Sequence, residues 1–234
     1  MLRFIGIGAQ KAGTSWLHHQ LQSHPWVRFP AGKELHFWDR DYPGQPASRY
    51  LQHFSSDPGL IEGDITPAYA TLSLPVVEAC AAACPDVKIV FILRNPIDRA
   101  WSSALMAMRR AELEIHEVSD AWFIDHFRSG GSLLRGDFAR TLQIWRTVYG
   151  PERVLALHYR DLEVDPARFL RRCIGFIGLD WWEGWTEPGL RQRVFGGHPH
   201  RLPEHLRAFL VELYTPRIKA LVDEVDWDPR VWLL

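Results

Sequence analysis

Cysteine is scarce in this chain: three residues, Cys80, Cys84 and Cys173, among 234. So low and odd a number argues against a disulfide scaffold and suits a reducing compartment. Cys80 and Cys84 stand one helical turn apart in an alanine-rich stretch, with no His or further Cys nearby in sequence to suggest zinc. Net charge is almost absent, at −1. No global field therefore draws the protein to nucleic acid or an acidic membrane, and any anion must be held by local basic groups. No apolar run reaches the roughly 18–20 residues of a membrane span. The first strand is expected to start at about Arg3, and on that reading no signal peptide is expected. The expectation is a soluble, cytoplasmic protein, although a trimmed catalytic domain would read the same way. Repeats, low-complexity tracts and a Gly- or Pro-rich linker are also missing. Residues 1–234 thus read as a single domain, long enough to bury a sizeable core. Oligomeric state is not readable.

Strand-like runs at Phe4–Ile7, Val27–Phe29, Leu60–Ile61, Lys88–Leu93 and Val154–Leu157 alternate with helical patterns. Helices are expected around Leu17 and Leu21, and over Pro75–Ala83, Pro96–Arg110, Phe138–Tyr149, Pro166–Ile177 and Pro203–Val225. Asn95 and Pro96 suit the N-cap and first position of the third. Such alternation predicts an α/β fold, a parallel sheet covered on both faces. Ligands of these sheets bind beyond the carboxyl ends of the strands. The informative loops are therefore those that follow strands.

The loop after the first strand, Gly8-Ala-Gln-Lys11-Ala-Gly13-Thr14-Ser15, has the frame of a nucleotide P-loop without its Gly-Lys-Ser/Thr ending. Amides and a helix N-terminus aimed at one spot favour an anion. Lys11 sits inside the loop, two residues before Gly13, so a phosphate-type ligand fits better than Mg-ATP. After the second strand, Lys33-Glu34-Leu35-His36-Phe37-Trp38-Asp39 places acids, a lysine and an imidazole among aromatics. If extended, it puts Glu34, His36 and Trp38 on one face. A carboxylate beside aromatics can have its pKa raised enough to serve as a base. The alternative is a charged surface turn with two aromatics in the core. Lys88–Leu93 ends in Arg94, whose place at a strand end suits bidentate phosphate recognition; the alternative is a routine salt bridge to Asp98 or Asp64. Asp64, after Leu60–Ile61, is either a strand-end turn or the magnesium-ordering carboxylate of an ATPase. A basic, Gly-containing stretch from Arg191 to Arg201 reads as a lid over an anion or as solvated surface.

In this order the motifs resemble the sulfotransferase family that uses 3′-phosphoadenosine 5′-phosphosulfate (PAPS), most closely the heparan sulfate glucosaminyl branch and its bacterial relatives. Gln10–Ser15 is similar to the family's 5′-phosphosulfate loop. Ile92-Leu93-Arg94-Asn95-Pro96 with Ser102 is similar to its 3′-phosphate motif. Glu34–Asp39, Ile65–Tyr69 and the stretch from His198-Pro199 to Trp227 follow the branch. The resemblance implies a three-layer α/β/α fold with a P-loop-like phosphosulfate loop. Lys11, Ala12, Gly13, Thr14 and Ser15 would hold the 5′-phosphate and sulfonate, and Arg94 and Ser102 the 3′-phosphate. Glu34 would be the general base, with His36 its substitute, and Lys11 would stabilise the leaving oxygen. Lys33, His36 and Asp39 would meet or orient the acceptor, a glycan or small molecule with a hydroxyl or amine. PAPS would be the donor and 3′-phosphoadenosine 5′-phosphate (PAP) the product, without a metal. Two departures stand out. The branch has lysine where this chain has Ile65, so the acceptor is expected to be different or less acidic. The branch's Lys-Gly-Arg loop falls on Val194, Phe195 and Gly196, leaving Arg191, Arg193, His198 or Arg201 to supply its charge. A P-loop kinase using Mg-ATP and a non-catalytic binding module with tryptophan stacking surfaces are the rival readings.

Overall fold

A computed structural model of the chain describes every residue except 43, 56, 58, 193 and 195–199. Among the described residues five strands form one sheet: β1 (Leu2–Gly8), β2 (Val27–Arg28), β3 (Ile61–Ile65), β4 (Lys88–Leu93) and β5 (Val154–His158). Their order is β2-β3-β1-β4-β5, and every neighbouring pair is parallel. The flanking helices are α1 (Thr14–Ser23), α2 (Ser48–Leu51), α3 (Leu74–Ala83), α4 (Pro96–Arg110), α5 (Asp120–Arg128), α6 (Gly130–Arg135), α7 (Phe138–Tyr149), α8 (Tyr159–Val164), α9 (Pro166–Ile177), α10 (Glu187–Arg191) and α11 (Glu204–Ala220). None of these is long and apolar enough to cross a membrane.

The central strands are continuous apolar runs because both their faces are covered. Ile89 to Leu93 are all buried, as are Phe4, Ile5 and Ile7 of β1. Cys80, Cys84 and Cys173 are buried and unbridged, as small core residues would be. Helix starts follow local chemistry: the Asn95 side chain accepts from the Ile97 N–H at 3.0 Å, and Asp165 from Arg168 N–H at 2.9 Å. Each is followed by proline at the first helical position. From β1 the chain winds out to β2, returns through β3, then crosses β1 to reach β4 and β5. The winding reverses between β1 and β4, so the crevice beyond their carboxyl ends is the place for a ligand.

Four local expectations are corrected. The third strand does not stop at Ile61 but runs through Gly63 and Asp64 to Ile65. Gly63 suits it because a Cβ there would fall 2.2 Å from the Phe4 ring, and Asp64 because neighbouring hydroxyls satisfy it. The segment from Glu34 to Asp39 is not extended: Glu34 and His36 have positive φ, and Phe37–Asp41 is a π-helical turn. Helices α5 and α6 carry no long apolar pattern; the Ser119 and Ser129 side chains start them by accepting from Trp122 and Ser132 N–H groups. The last helix ends at Ala220, passing through Pro216, and a 3₁₀ turn follows at Val222–Glu224.

Candidate active site

The β1–α1 loop is a backbone cradle. Ala9 N–H donates to the Ile92 carbonyl at 2.8 Å, which stitches the loop to β4. Lys11 has φ 68° and Gly13 φ 84°, so the chain passes twice through the left-handed region before α1 begins. Successive residues of this kind turn their amides into a concavity that accepts an anion. A Cβ on Gly13 would meet Leu162 at 2.7 Å and Tyr159 at 3.2 Å, which adds a packing reason for glycine. No side chain caps the first turn of α1. Thr14 is buried, Ser15 half-buried, and Ala12 is packed in the core below. Burial first, then the guanidinium groups of Arg94, Arg109 and Arg110, hold the Lys11 ammonium below the usual lysine range. Positive charge thus accumulates around one half-buried lysine.

Arg94 stands at the carboxyl end of β4 and makes neither of the salt bridges that were the alternative to phosphate recognition. Its Nη1 donates to the Lys11 carbonyl at 2.8 Å, and its guanidinium lies 5.0 Å from the centroid of the Tyr159 ring. One face and one edge of the guanidinium are fixed by the protein. Ser102 stands two helical turns along α4 from Asn95, on the same face, half-buried.

On the other side of the cradle, the carboxyl end of β3 holds the acidic segment: Glu34 N–H donates to the Ile65 carbonyl at 3.1 Å. Lys33 Nζ donates to Glu34 Oε1, and His36 Nε2 lies 3.4 Å from Glu34 Oε2. His36 Nδ1 is 2.9 Å from Asp39 Oδ2, and Arg40 reaches the same imidazole. Lys33, Glu34, His36 and Asp39 therefore form one polar chain. Burial pushes the Glu34 carboxyl up, but Lys33 and His36 together pull harder, and the net position is below the usual carboxylate range. That reverses the raised pKa expected from aromatic neighbours. Phe37 and Trp38 point into the core instead, packing on Tyr50. Two non-glycine residues at φ 64° and 60° cost of order 1–3 kcal/mol each unless the surroundings enforce them.

Asp64 lies 1% exposed inside β3, accepting from Tyr50 and Thr66. It faces no ligand position, and the magnesium-ordering role of the kinase reading is not supported. Arg191 is engaged by Glu187 at 2.7 Å, Arg201 is exposed, and Arg193, Phe195, Gly196 and His198 lie outside the described residues.

Several groups escaped the sequence reading. A cavity of about 470 Å³ opens beside Gln10, lined in part by Ser103, Arg110, His126 and Arg135. His126 Nε2 is 3.3 Å from Ser103 Oγ; burial, then Arg99 and Arg135, push its imidazole below the usual histidine range. Ser103 and Arg110 were legible as a helical i, i+7 pair on α4, but α5 and α6, which bring His126 and Arg135, had no periodic signal. Tyr159 follows β5, which made it a strand-end candidate on the same grounds as Arg94.

Comparison with known proteins gives the family and the fold. The model of the sulfotransferase family matches residues 60–183. Mouse heparan sulfate glucosamine 3-O-sulfotransferase 3A1 is 32% identical over 187 residues, 75% of this chain and 45% of the relative. The human 3-O-sulfotransferase 6 is 28% identical over 243 residues, 90% of this chain and 68% of the relative. The chain therefore spans about half to two thirds of the length of these relatives. The crystal structure of a sulfotransferase from Alicyclobacillus acidocaldarius superposes with a TM-score of 0.75 at 25% identity, covering 99% of this chain and 98% of that one. Mouse sulfotransferase SULT7A1 complexed with PAP shares the fold, with a TM-score of 0.56 at 15% identity over 93% of this chain and 83% of that one.

Proposed function

The chain belongs to the sulfotransferase family, and from that premise we propose that it moves a sulfuryl group from PAPS to a hydroxyl or amine of an acceptor. The observation that carries the proposal is the order of groups along one sheet edge. Glu34 is tied to the end of β3, Lys11 follows β1, and Arg94 ends β4. These three strands are neighbours, roughly 4.8 Å apart. The two cationic groups fit a doubly anionic nucleotide: a concave run of amides with Lys11, and a guanidinium already oriented by Tyr159 and the loop carbonyl.

In this proposal Lys11, Ala12, Gly13, Thr14 and Ser15 hold the 5′-phosphate and sulfonate through amides, hydroxyls and the ammonium. Arg94 and Ser102 hold the 3′-phosphate. When bound, the donor supplies an activated sulfuryl group whose sulfur–oxygen bond breaks in line with the attacking acceptor. Lys11 places its proton toward the leaving oxygen, where negative charge develops. Glu34 accepts the acceptor's proton; its depressed pKa keeps it ionised at neutral pH. His36, held by Asp39, orients that carboxylate, and Lys33 moves between Glu34 and the sulfonate or acceptor. A glycan is the first acceptor class to test, because the relatives above are heparan sulfate enzymes.

Calorimetry with adenosine 3′,5′-bisphosphate in EDTA tests the donor site. Binding without metal is expected. Silence there, alongside tight Mg-ATP binding, would sink the proposal.

A further inference from the structure

Beneath the acidic segment lies a buried carboxylate for which the chemistry above has no use. Asp64 Oδ2 accepts from the Tyr50 hydroxyl at 3.0 Å, and Oδ1 from Thr66 Oγ1 at 2.7 Å. The Tyr69 hydroxyl lies near the same carboxylate, close enough for each to perturb the other. Tyr50, Thr66 and Tyr69 are all fully buried. The Tyr69 oxygen also accepts the Phe37 N–H at 3.1 Å.

Donor and acceptor accounting gives this chain a direction. A backbone N–H can only donate, so the phenol oxygen must accept from Phe37. Asp64 and the Thr66 hydroxyl, both beside the phenol, are the acceptors open to its own proton. The amide the phenol anchors is that of Phe37, the residue directly after His36. One residue along β3 from Asp64, the Ile65 carbonyl holds Glu34 N–H at 3.1 Å. The two left-handed residues, Glu34 and His36, are thus pinned on both sides by the end of β3.

We propose that Tyr69 is a positioning residue whose hydroxyl, by holding the Phe37 amide, keeps Glu34 and His36 in their left-handed conformations beside the cradle. It rests on the reading of Glu34 as the base. Tyr69 itself is fully buried, and its phenol locks one peptide. Displacing a catalytic group by about 1 Å can cost roughly 100-fold in rate, so a clamp on this segment has a measurable consequence.

Two variants separate positioning from mere packing. Tyr69→Phe removes the acceptor for Phe37 N–H and keeps the ring. Thr66→Val removes the 2.7 Å donor to Asp64 but leaves the link from Tyr69 to Phe37 intact. The first readout is the ¹³C titration of the Glu34 carboxyl, whose partners are Lys33 and His36, with Asp39 and Arg40 on the far side of the imidazole. In the wild type it should titrate below the usual carboxylate range. It should rise toward that range in Tyr69→Phe and stay in place in Thr66→Val. Native-state hydrogen exchange should show Phe37 N–H protected like a core amide in the wild type, a result that needs no variant to fold. With an acceptor that supports turnover, Tyr69→Phe should lower kcat about 100-fold, with KM for PAPS and affinity for PAP within about twofold of wild type. The clamp is refuted if Phe37 N–H exchanges freely, if Tyr69→Phe leaves the Glu34 titration unmoved, or if Thr66→Val shifts it equally. Loss of PAP binding by the wild type would instead remove the sulfotransferase reading while leaving the titration and exchange results to judge the clamp.

Discussion

Replacing Arg94 by alanine separates the two jobs its position suggests. Its Nη1 already serves the Lys11 carbonyl, and its ring neighbour Tyr159 fixes its plane. The remaining guanidinium N–H groups are available to a phosphate. Two charge-assisted hydrogen bonds at about 1.5 kcal/mol each, the low end for a half-buried site, sum to about 3 kcal/mol. At 1.4 kcal/mol per decade that is a loss of roughly 100-fold in affinity. Part of any loss could come from the cradle, because the Lys11 carbonyl loses its donor. Titrating both adenosine 3′,5′-bisphosphate and adenosine 5′-monophosphate by calorimetry divides the two effects. The monophosphate lacks the 3′ group but occupies the same loop. Arg94→Ala should weaken the bisphosphate about 100-fold and the monophosphate by only a few-fold. Arg94→Lys should recover little, since an ammonium cannot form the planar fork. Equal losses on both ligands would show that Arg94 acts only by bracing the loop, and no loss on either would remove it from the site.

Glu34→Gln should abolish most turnover while donor affinity stays nearly unchanged; near-normal turnover would transfer the base role to His36. Lys11→Ala should weaken the donor and slow the reaction together, measured as a higher Kd for PAP and a lower kcat. The pH profile of kcat should be broad, for reasons of sign. Glu34 is depressed, so its basic form persists into acid below the usual carboxylate range, and the acid limb lies there. Lys11 is also depressed, so its ammonium is lost at lower pH than a free lysine's, and the alkaline limb begins below 10.5. An alkaline limb at or above that value would contradict a half-buried Lys11 acting as the proton donor. Gly13→Ala should lower PAP affinity and thermal stability together, because φ 84° costs an L-residue about 1–2 kcal/mol and the new methyl meets Leu162; an unchanged melting temperature would count against that geometry.

Much of the candidate site's edge was legible because its signals are local. Lys88–Leu93 is a run of six residues with a single outcome, a strand buried on both faces, and Asn95-Pro96 starts a helix wherever it occurs after one. Once the alternation implied a parallel sheet, Lys11 and Arg94 fell at its carboxyl edge by connectivity alone. Glu34 and His36 were legible as chemistry but not as geometry. Their left-handed backbone depends on the Ile65 carbonyl and on Tyr69, about thirty residues away in sequence. The pKa of Glu34 missed in direction for the same reason: the partner that decides it is Lys33, brought onto the carboxylate by that turn, and not the aromatics beside it.

Residue order alone therefore settled the α/β class, the strand-end position of the cradle and the types of group that surround it, because periodicity, caps and strand–loop–helix punctuation act over a few residues. Tertiary structure decided which of those groups meet. It set the sheet order that lines up the ends of β3, β1 and β4, turned Arg94 onto the Lys11 carbonyl and away from both aspartates, and brought α5 and α6 to wall a cavity beside Gln10. It also buried Asp64 under the hydroxyls of Tyr50 and Thr66, where a strand-end carboxylate would otherwise have faced solvent or a metal. Contacts of that kind join residues far apart in the chain, and their energies exist only once the sheet has closed.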